Sequence, residues 1–261
     1  MTAIFQSIGS SVIAGLVNSG RAVMLLRAIT FQFPKIWRRR REIGEQMHVV
    51  AMGSLPLVIV TSIFVGAVTA VQAVYQMQSM VPMKFLGVMI SKTVFIELGP
   101  VLMALVVGSR LCANYAAELG TMKVTEQLDA MSMLAIDPVA YLALPRFLAA
   151  LLMIPVVTII CDAVAIFGAY VVSVMTLDIT SSVFIEGLRM FYRHSDLLGG
   201  LTKSVVFGGI IGMSGIFFGL NTQGGAEGVG RSTMTAVVGS CLSILVADYL
   251  LAIVIFQIIL R

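Results

Sequence analysis

Long apolar runs separated by short polar ones set the pattern of this chain. Five runs, 49–75, 85–109, 145–176, 197–220 and 233–260, each reach the roughly 20 residues that a helix needs to cross a bilayer core. They are rich in Leu, Ile, Ala, Met and Gly and lack the alternation of a lipid-facing strand. Helices are therefore expected rather than a barrel. Pro56 falls near the start of the first run, and Pro155 predicts a kink in the third. Ahead of the runs, residues 3–30 are apolar but interrupted by Ser, Gly, Asn and two Arg, with Ile4, Ile8, Val12 and Leu16 about one helical turn apart. This predicts an amphipathic helix at the interface, a sixth span being the alternative. Residues 76–84 and 178–196 read as outer segments, the second with a short helix, and 221–232 as a Gly-rich inner turn.

The expected organisation is one all-α integral membrane domain over residues 1–261. Residues 1–48 form the interfacial helix and a basic approach, five transmembrane helices follow, and a polar region at 110–144 lies between spans two and three. Composition agrees. The chain is 59% hydrophobic and 11% charged, against about 25% charged for soluble domains, and its mean hydropathy is +1.01. Seven of the seventeen Lys and Arg precede residue 42: Arg21, Arg27, Lys35, Arg38, Arg39, Arg40 and Arg41. That asymmetry predicts a cytoplasmic N-terminus and, with five spans, a C-terminus outside. Arg189 and Arg193 run against the bias, but the N-terminal cluster outweighs them. Beside a span, the basic run Trp37–Glu42 reads as a membrane approach, so no nucleic-acid partner is expected. No cleavable signal peptide is expected either, since Met1 to Ser19 lacks a charged start.

No cofactor, metal or catalytic residue is expected. No phosphate-loop pattern occurs, and Gly225-Ala-Glu-Gly228-Val-Gly230 follows no strand and precedes no Lys-Ser/Thr pair, so it reads as a tight turn. His48 and His194 are far apart, and Cys112, Cys161 and Cys241 read as reduced packing residues. The exceptions to bland packing are the ionisable groups inside the spans, Lys92, Glu97, Asp162, Lys203 and Asp248. Each costs roughly 2.5–3.5 kcal/mol at mid-membrane, so each should face a partner or a wet cavity. Their depths predict a cluster of Glu97, Lys203 and Asp248. It would couple helix movement to a cavity, relay protons, or simply pin the bundle as a static ion pair. Lys92 is expected to snorkel outward. Gly208, Gly212, Gly215 and Gly219 permit close helix contact, within the chain more readily than across a dimer seam.

The block from Arg110 to Arg146 holds four acids and three bases amid lipid-grade sequence. Ala113 to Met133 is made of strong helix formers, which Gly120 is expected to divide, with Thr121 capping the second helix and Asp137-Pro138 ending it. Glu126 and Asp129 share a face, with Lys123 one turn before. Leu128, Met131 and Leu134 line an apolar face. Spacing leaves open whether this short amphipathic helix rests on lipid or docks into a partner's groove.

Within this region lie Glu97-Leu-Gly-Pro100, Gly108-Ser-Arg110, the run Ala117-Glu-Leu-Gly-Thr-Met-Lys-Val-Thr-Glu-Gln-Leu-Asp-Ala130, Ile136-Asp-Pro138 and Pro145-Arg146. Together they resemble the MlaE family of ABC-transporter permeases, which includes the YrbE-type permeases of Mce systems and a chloroplast lipid permease. The five-span layout and Lys203-Ser-Val-Val extend the likeness over nearly the whole chain. The resemblance implies a homodimeric, multi-pass permease of the bacterial inner membrane that moves phospholipid or a related lipid. ATP hydrolysis would belong to a cytoplasmic ABC ATPase, with an MCE-domain protein on the outer face and a STAS-domain regulator as a further partner. It implies a coupling helix at about Thr121–Leu134, with Glu118, Lys123, Glu126, Gln127, Asp129 and Asp137 as contacts to the ATPase. It also places Glu97, Lys203 and Asp248 in a buried polar network. Some members carry Arg where this chain has Ile96, and Lys92, one turn earlier, is the candidate substitute. From helix face and depth, Val65, Val68, Val71 and Tyr75 on the first span and Leu98, Val101 and Leu105 on the second are expected to line a lipid cavity. The alternatives are a proton-driven carrier using Glu97 and Asp248, and a non-transporting anchor for an MCE complex.

Overall fold

The computed structural model describes residues 2–77, 82–190 and 193–259. The side chains of Ile4, Ile8, Val12 and Leu16, parts of the two expected outer segments, and the last residue of the fifth expected span lie outside the described residues. Helix α1 (Thr2–Phe31) leads through a 3-10 turn (Phe33–Arg39) into α2 (Arg40–Met77). A second 3-10 turn (Met83–Phe85) opens α3 (Leu86–Thr93), which widens into a π turn (Val94–Leu98) and continues as α4 (Gly99–Val124). The short α5 (Gln127–Met133) and another π turn (Val139–Ala143) precede α6 (Leu144–Met175). Then come α7 (Ser181–Met190), α8 (His194–Leu220) and α9 (Gly225–Ile259). Among the described residues there is no strand. Five helical stretches are long and apolar enough to cross a membrane: Ile36–Met77, Met83–Val124, Val139–Met175, His194–Leu220 and Gly225–Gln257.

The helices outrun the apolar segments that reveal them, because helix hydrogen bonding does not stop where lipid stops. The largest difference concerns the polar block. Gly120 does not divide it and Thr121 caps nothing, since α4 runs unbroken to Val124. Gly120 is instead a contact: a Cβ there would lie 2.9 Å from the Thr222 hydroxyl. The break comes at Glu126, whose φ of 61° is left-handed and turns the chain into α5. The expected helix 121–134 is thus two pieces, the end of α4 and the seven-residue α5. Proline does not interrupt the spans, because α2 continues through Pro56 and α6 through Pro155.

The spans pack around α4, which contacts α6, α8 and α9, while α2 lies along α6. Small residues set the spacing. Cβ atoms at Gly66 and Gly168 would collide with the main chain of Ala165 and Ile63, so α2 and α6 meet backbone to backbone. Gly208 and Gly212 lie against Ala150 and Phe147 of α6, and Gly215 and Gly219 against Cys112, Tyr115, Ala116 and Leu119 of α4. All four glycines therefore serve packing within one chain. The core runs the length of the bundle, through Val58, Met103, Val107, Ile154 and Ile211 at its middle. One end of the bundle carries α5 and buries Ile29 of α1. The other carries α7, whose Phe184 is buried. Of the five membrane-crossing stretches, the one in α9 is the least buried, with Met234, Val238, Leu242, Leu245, Tyr249, Ile253 and Phe256 exposed. Their spacing of three and four residues forms one stripe.

Candidate functional site: a buried charge cluster and its clefts

Where α3 gives way to α4, the π turn Val94–Leu98 carries Glu97. Such turns insert a residue and re-aim the side chains that follow, often at functional positions. Pro100, near the start of α4, lacks an N–H that the helix restart leaves without need of a partner. Opposite, Gly200 of α8 presses against the main chain of Phe95, where any side chain would collide. This close approach brings Lys203, one turn further on, onto the π turn.

The Lys203 ammonium is fully buried and lies 2.7 Å from Glu97 Oε1 and 2.9 Å from Asp248 Oδ1 of α9. Three helices are thereby joined at one cation. The trio has two acids and one base. The Glu97 side chain keeps 38% of its exposure and Asp248 21%, so the cluster is sealed around its cation but partly open at both carboxylates, more so at Glu97. Burying an ion pair gains little net stability, whereas removing one partner is costly. Such a cluster specifies geometry more than it strengthens the fold.

A second pair lies nearer the α7 end, where Lys92 Nζ is 3.6 Å from Asp196 Oδ2. Lys92 thus neither snorkels alone nor joins Glu97, and its partner is the buried Asp196 in the first turn of α8. Sequence reading missed Asp196 because it closes a polar stretch that looked like an outer loop. The available signal was its spacing of two helical turns from Lys203. Asp162 stands apart from both pairs. It is buried on α6 in the notch left by Gly99, and its Oδ1 has no hydrogen-bond partner.

The cluster opens into a cleft of about 420 Å³ lined by Lys92, Thr93, Ile96, Glu97, Arg193, Asp196, Ile255 and Phe256. Apolar walls and charged groups of both signs suit an amphiphile better than a purely apolar or purely polar guest. A second cleft of about 260 Å³ lies between α2 and the π turn, lined by Thr69, Gln72, Ala73, Gln76, Met89, Thr93 and Leu98. Of the apolar positions expected around a cavity, Leu98 lines this cleft. Val68, Val71 and Tyr75 are exposed on other faces of α2, and Val65 is half-buried. Val101 and Leu105 pack against the core. The side of α2 that faces the cleft is polar, because Thr69, Gln72 and Gln76 share it.

At the α5 end the expected contact residues divide into two groups. Glu118 is engaged within the chain: the buried Arg146 donates to its Oε2 at 2.9 Å and Asn114 to its Oε1 at 3.1 Å. Asp137 caps the chain before α6, accepting from Val139 N at 2.9 Å and from Gln32 Nε2 at 2.7 Å. Lys123 holds Asp129 at 3.1 Å across the break. Glu126 and Gln127 are exposed. Leu128 is buried and Met131 packs beside it, but Leu134 points outward with Met133, both strongly exposed. The apolar face thus splits between the core and a free surface. Among the described residues, no group of three His, Cys, Asp or Glu side chains is placed to hold a metal ion.

Comparison with known proteins adds an independent observation. A family model described as "Permease MlaE" matches residues 43–254. A Synechocystis protein named "probable ABC transporter permease protein" is 40% identical over 218 residues, covering 84% of this chain and 83% of the relative. A Rickettsia typhi protein of the same description is 36% identical over 216 residues, 83% of each chain. The Arabidopsis thaliana protein "Trigalactosyldiacylglycerol 1, chloroplastic" is 34% identical over 213 residues, 82% of this chain and 61% of that protein.

Proposed function

This chain belongs to the MlaE permease family, and from that premise we propose that it moves phospholipid or a related lipid between the bacterial inner membrane and an MCE-domain partner, as one of two identical subunits. A separate cytoplasmic ABC ATPase would supply the energy. An MCE-domain protein would exchange lipid on the outer face, and a STAS-domain protein would regulate the assembly. The observation that carries the lipid reading is the cleft over Glu97, which joins the walls Ile96, Ile255 and Phe256 to charges of both signs. The exposed stripe of α9 and the polar cleft on α2 are the surfaces that a second copy would cover.

Force would enter at the α5 end, which faces the cytoplasm together with the N-terminus. Exposed Glu126, Gln127, Met133 and Leu134 offer the ATPase a mixed polar and apolar surface. The lever is α4. Its 26 residues, at about 1.5 Å each, link the turn at Glu126 to the π turn that carries Glu97. A push on α5 shifts Glu97 against Lys203 and Asp248 and so reshapes the cleft. The buried cation acts as the fixed point, held from two sides. The test is lipid transfer between proteoliposomes by the permease with and without the ATPase. ATP-dependent transfer, reduced by Glu126→Lys while the permease remains folded, is the expected result. Transfer without the ATPase would replace this reading with a proton-driven carrier. Assembly with no transfer at all would leave only an anchor.

A further inference from the structure

A third cleft lies on the far side of α3 from the charge cluster. Ser91, Phe95, Ile166, Ile185, Leu188 and Arg189 enclose about 430 Å³ beneath α7. We propose that this cleft binds an anionic phospholipid of the surrounding bilayer, its phosphate on Arg189 and an acyl chain between Phe95, Ile166, Ile185 and Leu188. The site is separate from the transport cleft and from any docking surface for the ATPase.

Three observations carry this assignment. The first is that the cleft is preformed. Helix α7 packs backbone to backbone on the start of α3, since a Cβ on Gly87 or Gly187 would strike the opposing main chain, at Phe184 and Leu188 or at Lys84. Phe184 is buried edge-on against Tyr170 at 5.6 Å, and the Tyr170 hydroxyl donates to Ser181 Oγ at 3.0 Å. The second is position. Helix α7 joins the end of α6 to the start of α8, so it sits where two spans leave the bilayer, as amphipathic interfacial helices do.

The third is charge. Arg189 is exposed at the rim, and among the described residues no carboxylate forms an ion pair with it. Glu186, one turn earlier, is exposed and does not line the cleft. The Ser91 hydroxyl is already satisfied by the Val88 carbonyl at 3.0 Å, so the interior offers a guest only apolar contact. A planar guanidinium that no described carboxylate engages, set over an apolar cleft, matches a phosphate followed by a hydrocarbon chain.

The test uses the full chain in phosphatidylcholine nanodiscs. The chain has a single tryptophan, Trp37, which W37F removes, and Ile185→Trp then places a reporter at the cleft. Quenching is titrated with brominated phosphatidylglycerol and with brominated phosphatidylcholine. The expected preference for the anionic lipid is about five-fold, corresponding to about 1 kcal/mol for one basic side chain near an anionic lipid. Arg189→Gln should abolish the preference, and Arg189→Lys should retain part of it with helix content unchanged by circular dichroism. Equal quenching by both lipids, or a preference that survives Arg189→Gln, would overturn the site. So would the absence of quenching by either lipid, the result if a protein segment covers the cleft. No ATPase or ATP takes part, so failure here leaves the transport reading standing.

Discussion

Glu97 Oε1 lies 2.7 Å from Lys203 Nζ, yet the lysine is fully buried while the glutamate remains open to a cleft. The two ends of one ion pair therefore respond differently to substitution. Lys203→Met leaves Glu97 and Asp248 facing each other without their shared cation. Removing one partner of a buried pair costs about 3–5 kcal/mol, so this variant should unfold at markedly lower temperature in detergent. Glu97→Gln keeps a hydrogen-bond acceptor for Lys203 and leaves Asp248 in place. It should lose much less stability while lowering ATP-driven lipid transfer. Equal thermal losses in the two variants would mean that the cluster is purely structural.

The acids at the α5 end should separate in the same way. Glu118 holds the buried Arg146 at 2.9 Å, so Glu118→Gln should weaken the permease even without an ATPase. Glu126 is exposed at the turn before α5. Glu126→Lys should leave the melting temperature of the isolated permease unchanged and reduce co-purification of the ATPase. A fall in melting temperature for Glu126→Lys would assign it a local role instead.

Backbone contact between α2 and α6 makes Gly66 intolerant of any side chain. Gly66→Ala would drive its Cβ into the Ala165 carbonyl, and overpacking of this kind costs about 1–3 kcal/mol. Gly230 on α9 has nothing within 4 Å of its Cβ position. Gly230→Ala should therefore be neutral or stabilising by up to about 1 kcal/mol, through the gain in helix propensity alone. Thermal unfolding of the two variants side by side checks both signs.

The exposed stripe on α9 should meet its own copy. With Cys112, Cys161 and Cys241 replaced by Ala, Leu242→Cys is expected to give a covalent dimer under mild oxidation in membranes. A cysteine at Trp37, which is exposed at the α5 end, should not. A monomer in both cases would remove α9 as the seam.

Much of the architecture is set by composition. A run such as 145–176 has no stable alternative to a helix, because every peptide group in lipid must pair within its own segment. The charged residues were also legible one at a time. Lys203 and Asp248 stand out because ionisable groups are scarce in apolar runs. The depth of each along its helix was enough to place them near Glu97.

Contacts between segments were not legible. Nothing local says that Lys92 pairs with Asp196 rather than Glu97, because the choice depends on which turn of α8 faces α3. Gly120 looks like a helix breaker in a polar block, and only the closeness of Thr222 makes it a packing residue within an unbroken α4. The cleft beside α2 is similar, since its apolar positions were plausible by depth, but rotation of the helix presents Thr69, Gln72 and Gln76. Hydropathy along the chain determines that a segment is helical and about where it lies in the bilayer. Its rotation, and so its partners, is decided by side-chain packing between helices distant in sequence. That is why the sequence alone could specify five spans and a buried charge cluster. Only the tertiary structure could decide that Lys203 is sealed inside while Glu97 remains open.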